Sequence, residues 1–466
     1  MSPSARALLL LLLLPAGAQA YPVDGYAYTG IRRLEYARQV QSGEVPGRRQ
    51  QPGQYLPMAE VVPRWHSSDG QVLPTVDTEL SRRVAELVPA TERANYAMAV
   101  LDLSDSQHPL YALHNPETQA NVGSVGKILV ALALFQKLAD LYPNDIPGRE
   151  RVLRDTQITA DSFSQHDHHT VPFYDLERKT KVSRSIRVGD RASLWEFLDW
   201  MLSASSNSAA GMVQKELLAL DHFGQRYPVT AEEEADFFAR TSRKELGRIM
   251  LETMNDAAVR NGLDPQKIRQ GSFFTHGGNQ HADTTSSYAT PEQLVKFLFR
   301  LEAGTLVDSF SSREIKRLLY MTQRRIRYAS HPALNDSAVF FKSGSYFQCV
   351  DGPRGCRKYK GDKTNRLASV AMIESPAGVD EKNLVSPALA HGAAAGAPMH
   401  HYLVAVMSNV LLVNSAVAHQ TLAMRIHRLI VALHPVPQAP PLIPESAYPR
   451  VPVDDPEAHQ PPGPDQ

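Results

Sequence analysis

The order of the apolar segments constrains this chain most. Asn95–Leu103 (NYAMAVLDL) and Pro109–Leu113 read as two strands joined by a polar turn. The segments able to extend that sheet, Ala338–Tyr346, Leu367–Ile373 and Tyr402–Met407, lie far downstream. Between the two groups, from Val125 to about Tyr320, the apolar residues recur at helical spacing with loop breaks. Thr75-Val76-Asp77 opens an amphipathic helix through Leu87, and Ser415–Leu433 closes the pattern as another. This order predicts an α/β (α+β) fold, a five-stranded antiparallel sheet with flanking helices plus an inserted all-helical lobe. The α/β lobe takes residues 76–117 and 338–434 and the helical lobe 118–337. A cleft between the lobes is the expected site.

The flanks read differently. Arg6, the run Leu8–Leu14 and the small residues ending in Ala18-Gln19-Ala20 form a signal-peptide pattern, residues 1–20, with Tyr21 the expected mature N-terminus. The apolar run is about half the ~20 residues a membrane span needs. The expected location is therefore periplasmic or secreted, with no membrane span. Residues 21–75, rich in Pro, Gly, Gln and Arg, read as an irregular surface extension. Residues 435–466 hold 11 of the 33 prolines and read as a disordered tail. With 49 basic and 49 acidic residues the net charge is zero, which argues against a nucleic-acid partner. No cofactor or metal motif and no oligomer signal stand out.

Three short motifs carry chemistry. Ser124-Val125-Gly126-Lys127 heads the apolar helix Ile128–Tyr142, so Lys127 falls one turn from the Ser124 hydroxyl. A serine is a weak nucleophile until a base takes its proton, and a desolvated lysine near other cations can act as that base. A phosphate loop is excluded, because Asn121 stands where that pattern needs Gly and Ile128 where it needs Ser or Thr. Ser205-Ser206-Asn207 follows a helix-like segment; Ser205 is placed to relay a proton and Asn207 to hold a substrate amide or orient Lys127. Lys342-Ser343-Gly344 lies in a predicted strand: Lys342 and Ser343 suit a substrate carboxylate, and Gly344 lets a substrate backbone approach. The N–H of Ser345, with that of Ser124, is the expected oxyanion hole.

In order and spacing the three motifs resemble the penicillin-recognising serine enzymes, specifically class A β-lactamases, over residues 76–433. Ser205–Val213 (SSNSAAGMV) resembles that family's S-D-N-T-A-A-N segment, and Ala289-Thr290-Pro291 with the following two helices resembles its helix pair before the K-[TS]-G strand. The resemblance implies an acyl-enzyme at Ser124, with Lys127 as base or its partner and Ser205 as relay. It also implies substrate contacts from Asn207, Lys342, Ser343 and Ser345, and from Arg366, which opens the next strand. The implied substrates are β-lactam rings or D-Ala-type peptide bonds. Two departures stand out. No Glu occurs from Ala257 through Pro291, where class A enzymes keep their deacylation glutamate, leaving Asp264, Asp283 and His276 as nearby candidates. Ser206 replaces the middle Asp of the second motif. Three functions are compatible: a β-lactamase-like hydrolase, a cell-wall D,D-peptidase, and a non-hydrolytic envelope protein that binds penicillin or peptidoglycan.

Other features read more plainly. His166-Asp167-His168-His169 is expected to be a solvated loop at the cleft rim, and Thr230–Asp236 an acidic inserted surface helix. Cys349 and Cys356 flank turn chemistry and form either a stapled hairpin or two free thiols; export permits the bridge.

Overall fold

A computed structural model describes residues 20–65, 72–352, 356–375 and 400–435. The signal-peptide pattern apart from Ala20, and the Pro-rich tail apart from Pro435, lie outside the described residues. No helix among the described residues is long and apolar enough to cross a membrane.

The central sheet comprises β1 (Tyr96–Asp102), β2 (Leu110–His114), β3 (Ala338–Gln348), β4 (Thr364–Ser375) and β5 (His400–Asn409). Its order is β2-β1-β5-β4-β3, antiparallel throughout, with β3 at one edge. Each central strand is apolar on both faces and therefore needs cover on both sides. Met98, Val100, Val339, Phe341, Val404 and Val406 pack under Thr78–Glu86 and Ser415–Leu433, two helices from opposite ends of the described chain. Ala97, Ala99, Leu101, Phe340, Val370 and Ala405 face the inserted lobe. There Lys127–Leu141 is buried almost all round, as a central helix must be. Its neighbours carry start signals: Ser193 and Glu196 form a capping box, and Ser206 caps Asn207–Phe223.

The insert is mostly helical but also holds three short two-stranded ladders, pairing Gln157–Thr159 with Arg191–Ser193, Val171–Asp175 with Thr180–Arg184, and Ile268–Arg269 with Tyr288–Ala289. Ladders of two to five residues are too short for alternation to announce them. Thr230 caps the acidic helix Ala231–Arg240.

The segment after Ala20 is not the irregular extension its composition suggests. It forms helices at Gly25–Thr29 and Arg32–Ser42 and packs into the core. Ile31, Leu34, Ala37 and Val40, three residues apart, make the buried stripe. Buried charge fastens the segment. The Arg33 guanidinium grips Asp199 at 2.5 and 2.6 Å and donates to the Met321 carbonyl at 2.8 Å. Arg64 and Lys316 meet Glu374, and Lys316 also binds Glu302 and the Val62 carbonyl. The Ala20 N–H donates to the Thr322 carbonyl at 2.8 Å, next to the loop that borders the cleft.

Asp199 is fully buried, so its pairing with Arg33 is testable. Arg33→Ala leaves an uncompensated carboxylate in the interior and is expected to cost about 3–5 kcal/mol in urea unfolding. The solvent-exposed ion pairs of Arg82 make Arg82→Ala a control with an unchanged midpoint.

Candidate active site

Ser124 sits in a tight turn, Gly123–Gly126, that runs directly into the helix starting at Lys127. The turn lies against the edge strand β3. A Cβ on Gly344 would come within 2.1 Å of the Val122 carbonyl oxygen and 2.4 Å of the Ser124 nitrogen, so only glycine permits this contact. A Cβ on Gly123 (φ +53°) would lie 3.3 Å from the Ser345 nitrogen. The backbones of Ser124 and Ser345, the two expected oxyanion donors, are thus held side by side.

Lys127 is fully buried. Its Nζ donates to Ser124 Oγ at 3.0 Å, to Asn207 Oδ1 at 2.6 Å and to the Ser205 carbonyl at 2.5 Å. Ser205 has φ +62°, the left-handed region that costs a non-glycine residue energy. Its carbonyl faces one ammonium and its hydroxyl the other: Lys342 Nζ donates to Ser205 Oγ at 2.8 Å. All three motifs therefore converge, with Ser205 bridging the lysines of the first and third.

Sequence reasoning missed the next partner. Arg327, buried and at φ +52°, donates to Ser343 Oγ at 2.8 Å, Ser345 Oγ at 3.3 Å and Tyr359 Oη at 2.7 Å. It arrives from a short turn before β3, where only its strained backbone marks it. Arg366 does not take the carboxylate-binding place expected of it. It stands on β4 opposite Tyr346 and is absent from the residues lining the cleft, because β3 lies between it and the opening.

The histidine tract stands at the cleft rim, as expected, and His166 is exposed, but the tract is not solvated throughout. The Asp167 side chain is buried, accepts from Ser206 Oγ at 2.8 Å and the Ser208 N–H at 2.9 Å, and meets His169 Nδ1 at 2.5 Å. A carboxylate thus stands beside the second motif after all, supplied by another loop. Burial pushes the Asp167 carboxyl up, but His169, the Ser208 N–H and Lys127 outweigh it and hold it below the usual carboxylate range. His168 and His169 line the cleft.

The glutamate-free stretch forms another wall. The Phe274 ring lies 4.9 Å from Lys127 Nζ. Gln270 covers the start of the helix, where a Cβ on Gly126 would come 2.2 Å from its Oε1. Of the three candidates, His276 lines the cleft; Asp264 instead caps its own turn through the Gln266 N–H, and Asp283 lies beside Arg243. His281 stacks on Phe163. A disulfide joins Cys349 and Cys356 beyond the end of β3. The cleft has a volume of about 370 Å³.

A profile of the Beta-lactamase enzyme family matches residues 79–351, a span that includes all three motifs. The chain belongs to that family. Its members work through an acylated serine, and the sheet with its inserted helical lobe is the β-lactamase/transpeptidase fold. Among solved structures, the chain is similar to a β-lactamase from Sphaerobacter thermophilus DSM 20745. The two share 15% identity over 77% of this chain and 99% of that one, with a TM-score of 0.47. A point mutant of PBP-A, solved as an acyl-enzyme complex with penicillin G, is 12% identical over 78% and 100%, with a TM-score of 0.46. The TLA-3 extended-spectrum β-lactamase is 13% identical over 76% and 98%, with a TM-score of 0.46. No curated protein matches the chain.

Asp167→Asn is expected to slow acylation of Ser124 about tenfold, the effect of roughly 1.4 kcal/mol of lost positioning, as read by stopped-flow labelling with a fluorescent penicillin. Because the Asp167 carboxyl is depressed, its stabilising effect is present above the ordinary carboxyl range near pH 4 and fades only as acidification proceeds below it. The wild-type labelling rate is therefore expected to show no Asp167-dependent step between about pH 5 and 8.

Proposed function

We propose that the protein is an exported penicillin-recognising serine enzyme that acylates rapidly and deacylates slowly, with D-Ala-type peptides or β-lactams as acyl donors. The observation that carries this reading is the wall beside Lys127. An aromatic ring, Phe274, stands there, and no Asp or Glu is among the described residues that line the cleft.

Acylation follows from the contacts. Ser124 Oγ attacks the carbonyl carbon while its proton passes to Lys127 Nζ, 3.0 Å away, when that amine is neutral. The oxyanion accepts from the N–H groups of Ser124 and Ser345. Lys342 and Ser343 hold the substrate carboxylate, and Arg327, bound to Ser343 Oγ, adds a second positive charge at that end. As the C–N bond breaks, Ser205 Oγ gives its proton to the departing nitrogen and regains the one that Lys127 took from Ser124, while Lys342 Nζ, 2.8 Å from Ser205 Oγ, stays charged and stabilises the transient alkoxide. Asn207 accepts from Lys127 Nζ and lines the cleft, which suits it to meet the substrate amide. Hydrolysis then needs a base to activate water. The Phe274 ring cannot accept that proton and no carboxylate lines the cleft among the described residues, which leaves only the imidazoles of His168, His169 and His276 in the lining; in this reading they are not placed to activate the water, and the ester is long-lived.

Intact-mass spectrometry after mixing with benzylpenicillin is expected to show one stoichiometric adduct that outlasts the substrate. Ser124→Ala is expected to abolish it. Phe274→Glu places a carboxylate beside Lys127 and is expected to shorten the adduct's lifetime by at least about tenfold. Rapid turnover by the wild-type protein would overturn the slow-release reading, and absence of any adduct would overturn the acyl-enzyme reading itself. Export is supported by the signal-peptide pattern; N-terminal sequencing of the mature protein should begin at Tyr21.

A further inference from the structure

Acylation of Ser124 divides a substrate into two halves, and the motifs mark where the departing half lies. Ser205 hands its proton to the departing nitrogen, and Lys342 and Ser343 take the carboxylate on that same half. The loop after Met321 borders this end of the cleft: the Gln323 N–H donates to the Ser203 carbonyl at 3.3 Å, two residues before Ser205. Three arginines lie in that loop, and two of them are tied to the protein. The buried Arg325 guanidinium donates to the carbonyls of Leu334, Gly53 and Ser337. Arg327 is bound to Ser343, Ser345 and Tyr359. The backbone is therefore held on both sides of Arg324. Arg324 itself is half-buried, lines the cleft, and forms no hydrogen bond or ion pair with any described residue. A second cation stands near it. The Lys181 ammonium lies 4.1 Å from the centre of the Tyr36 ring. Burial pushes that ammonium below its ordinary value, and the charges of Arg33 and Arg324 add to the effect. Asp199 answers Arg33, but no carboxylate among the described residues pairs with Arg324 or Lys181, and none lines the cleft.

We propose that the departing half of the natural substrate carries a second carboxylate, received by Arg324 in the field of Lys181, so that the enzyme prefers a dianionic leaving group of the kind an acidic residue at the end of a peptide supplies. This rests on the acyl-enzyme reading above and adds a substrate class to it. A guanidinium offers a carboxylate two parallel N–H donors, and one presented from a backbone already held in place loses less freedom on binding. Neighbouring cations raise the encounter rate with an added anion, and salt weakens that gain as the screening length shortens.

Two thioesters of N-benzoyl-D-alanine form a matched pair: one has mercaptosuccinate as its leaving group and the other the β-carboxamide of mercaptosuccinate, so they differ by one charge on the departing half. Second-order acylation rates are read as thiol release in the first turnover of the mature full-length protein, at about 20 mM and about 500 mM salt, where the screening lengths differ severalfold. The mercaptosuccinate ester is expected to react at least about fivefold faster at low salt, with the ratio falling towards one at high salt. In Arg324→Gln the low-salt ratio should also fall towards one, and Arg324→Lys, which keeps the charge, should retain part of it. Equal rates in the wild type, a preference for the amide, or a preference that survives Arg324→Gln would overturn the proposal. So would a variant that slows both esters alike, because Arg324 would then serve the carboxylate they share. Benzylpenicillin separates this inference from the reading beneath it. If it labels Ser124 while the two esters react equally or not at all, only the leaving-group proposal fails; if it does not label Ser124, the acyl-enzyme reading fails and this inference falls with it.

Discussion

Two buried ammonium groups share one serine, and the active site is arranged around that fact. Lys127 begins the central helix of the insert, and Lys342 lies on the edge strand of the sheet. Ser205 stands between them, offering its carbonyl to one and its hydroxyl to the other. Buried cations are costly unless solvated by dipoles. Here Ser124 Oγ, Asn207 Oδ1 and the Ser343 carbonyl add to that solvation. The left-handed backbone at Ser205 is the strain accepted in return, and it makes sense only because a single residue must face both lobes.

That geometry leans on material outside the motifs. Asp167 fixes the turn before Asn207 from a separate loop, which explains how Ser206 can stand where related enzymes carry an aspartate. The segment from Tyr21 to Trp65 holds the neighbouring structure through Arg33, which binds Asp199 and the Met321 carbonyl. The chain that follows Met321 carries Arg324 and Arg327 to the cleft. Burial makes the pairings of Arg33 and Lys316 effective fasteners, because water and salt screen buried charges far less than exposed ones.

Much of this was legible in the residues. The apolar strand segments and the long helical insert predicted the sheet, and S-x-x-K, S-x-N and K-S-G were readable as a set. Other parts were not. Ile31, Leu34, Ala37 and Val40 form a helical stripe, but the surrounding Pro, Gly and Gln obscured it. Arg327 has no motif; it matters because a turn aims its guanidinium at Ser343 and Ser345. Arg366 had the right chemistry in the right segment, yet an interposed strand keeps it out of the cleft.

The sequence by itself determined the S-x-x-K, S-x-N and K-S-G set, from which the proposed nucleophile, lysine and relay serine are read, and the absence of a glutamate from 257 to 291, because each is a matter of residue type at short spacing. Only the tertiary structure decided what replaces the missing groups. Phe274 faces Lys127, Asp167 supports Ser206, and Arg327, not Arg366, reaches Ser343. Those pairings join residues tens to more than a hundred positions apart, or set by strand order. Spacing along the chain carries no record of which side chains a folded backbone will bring face to face.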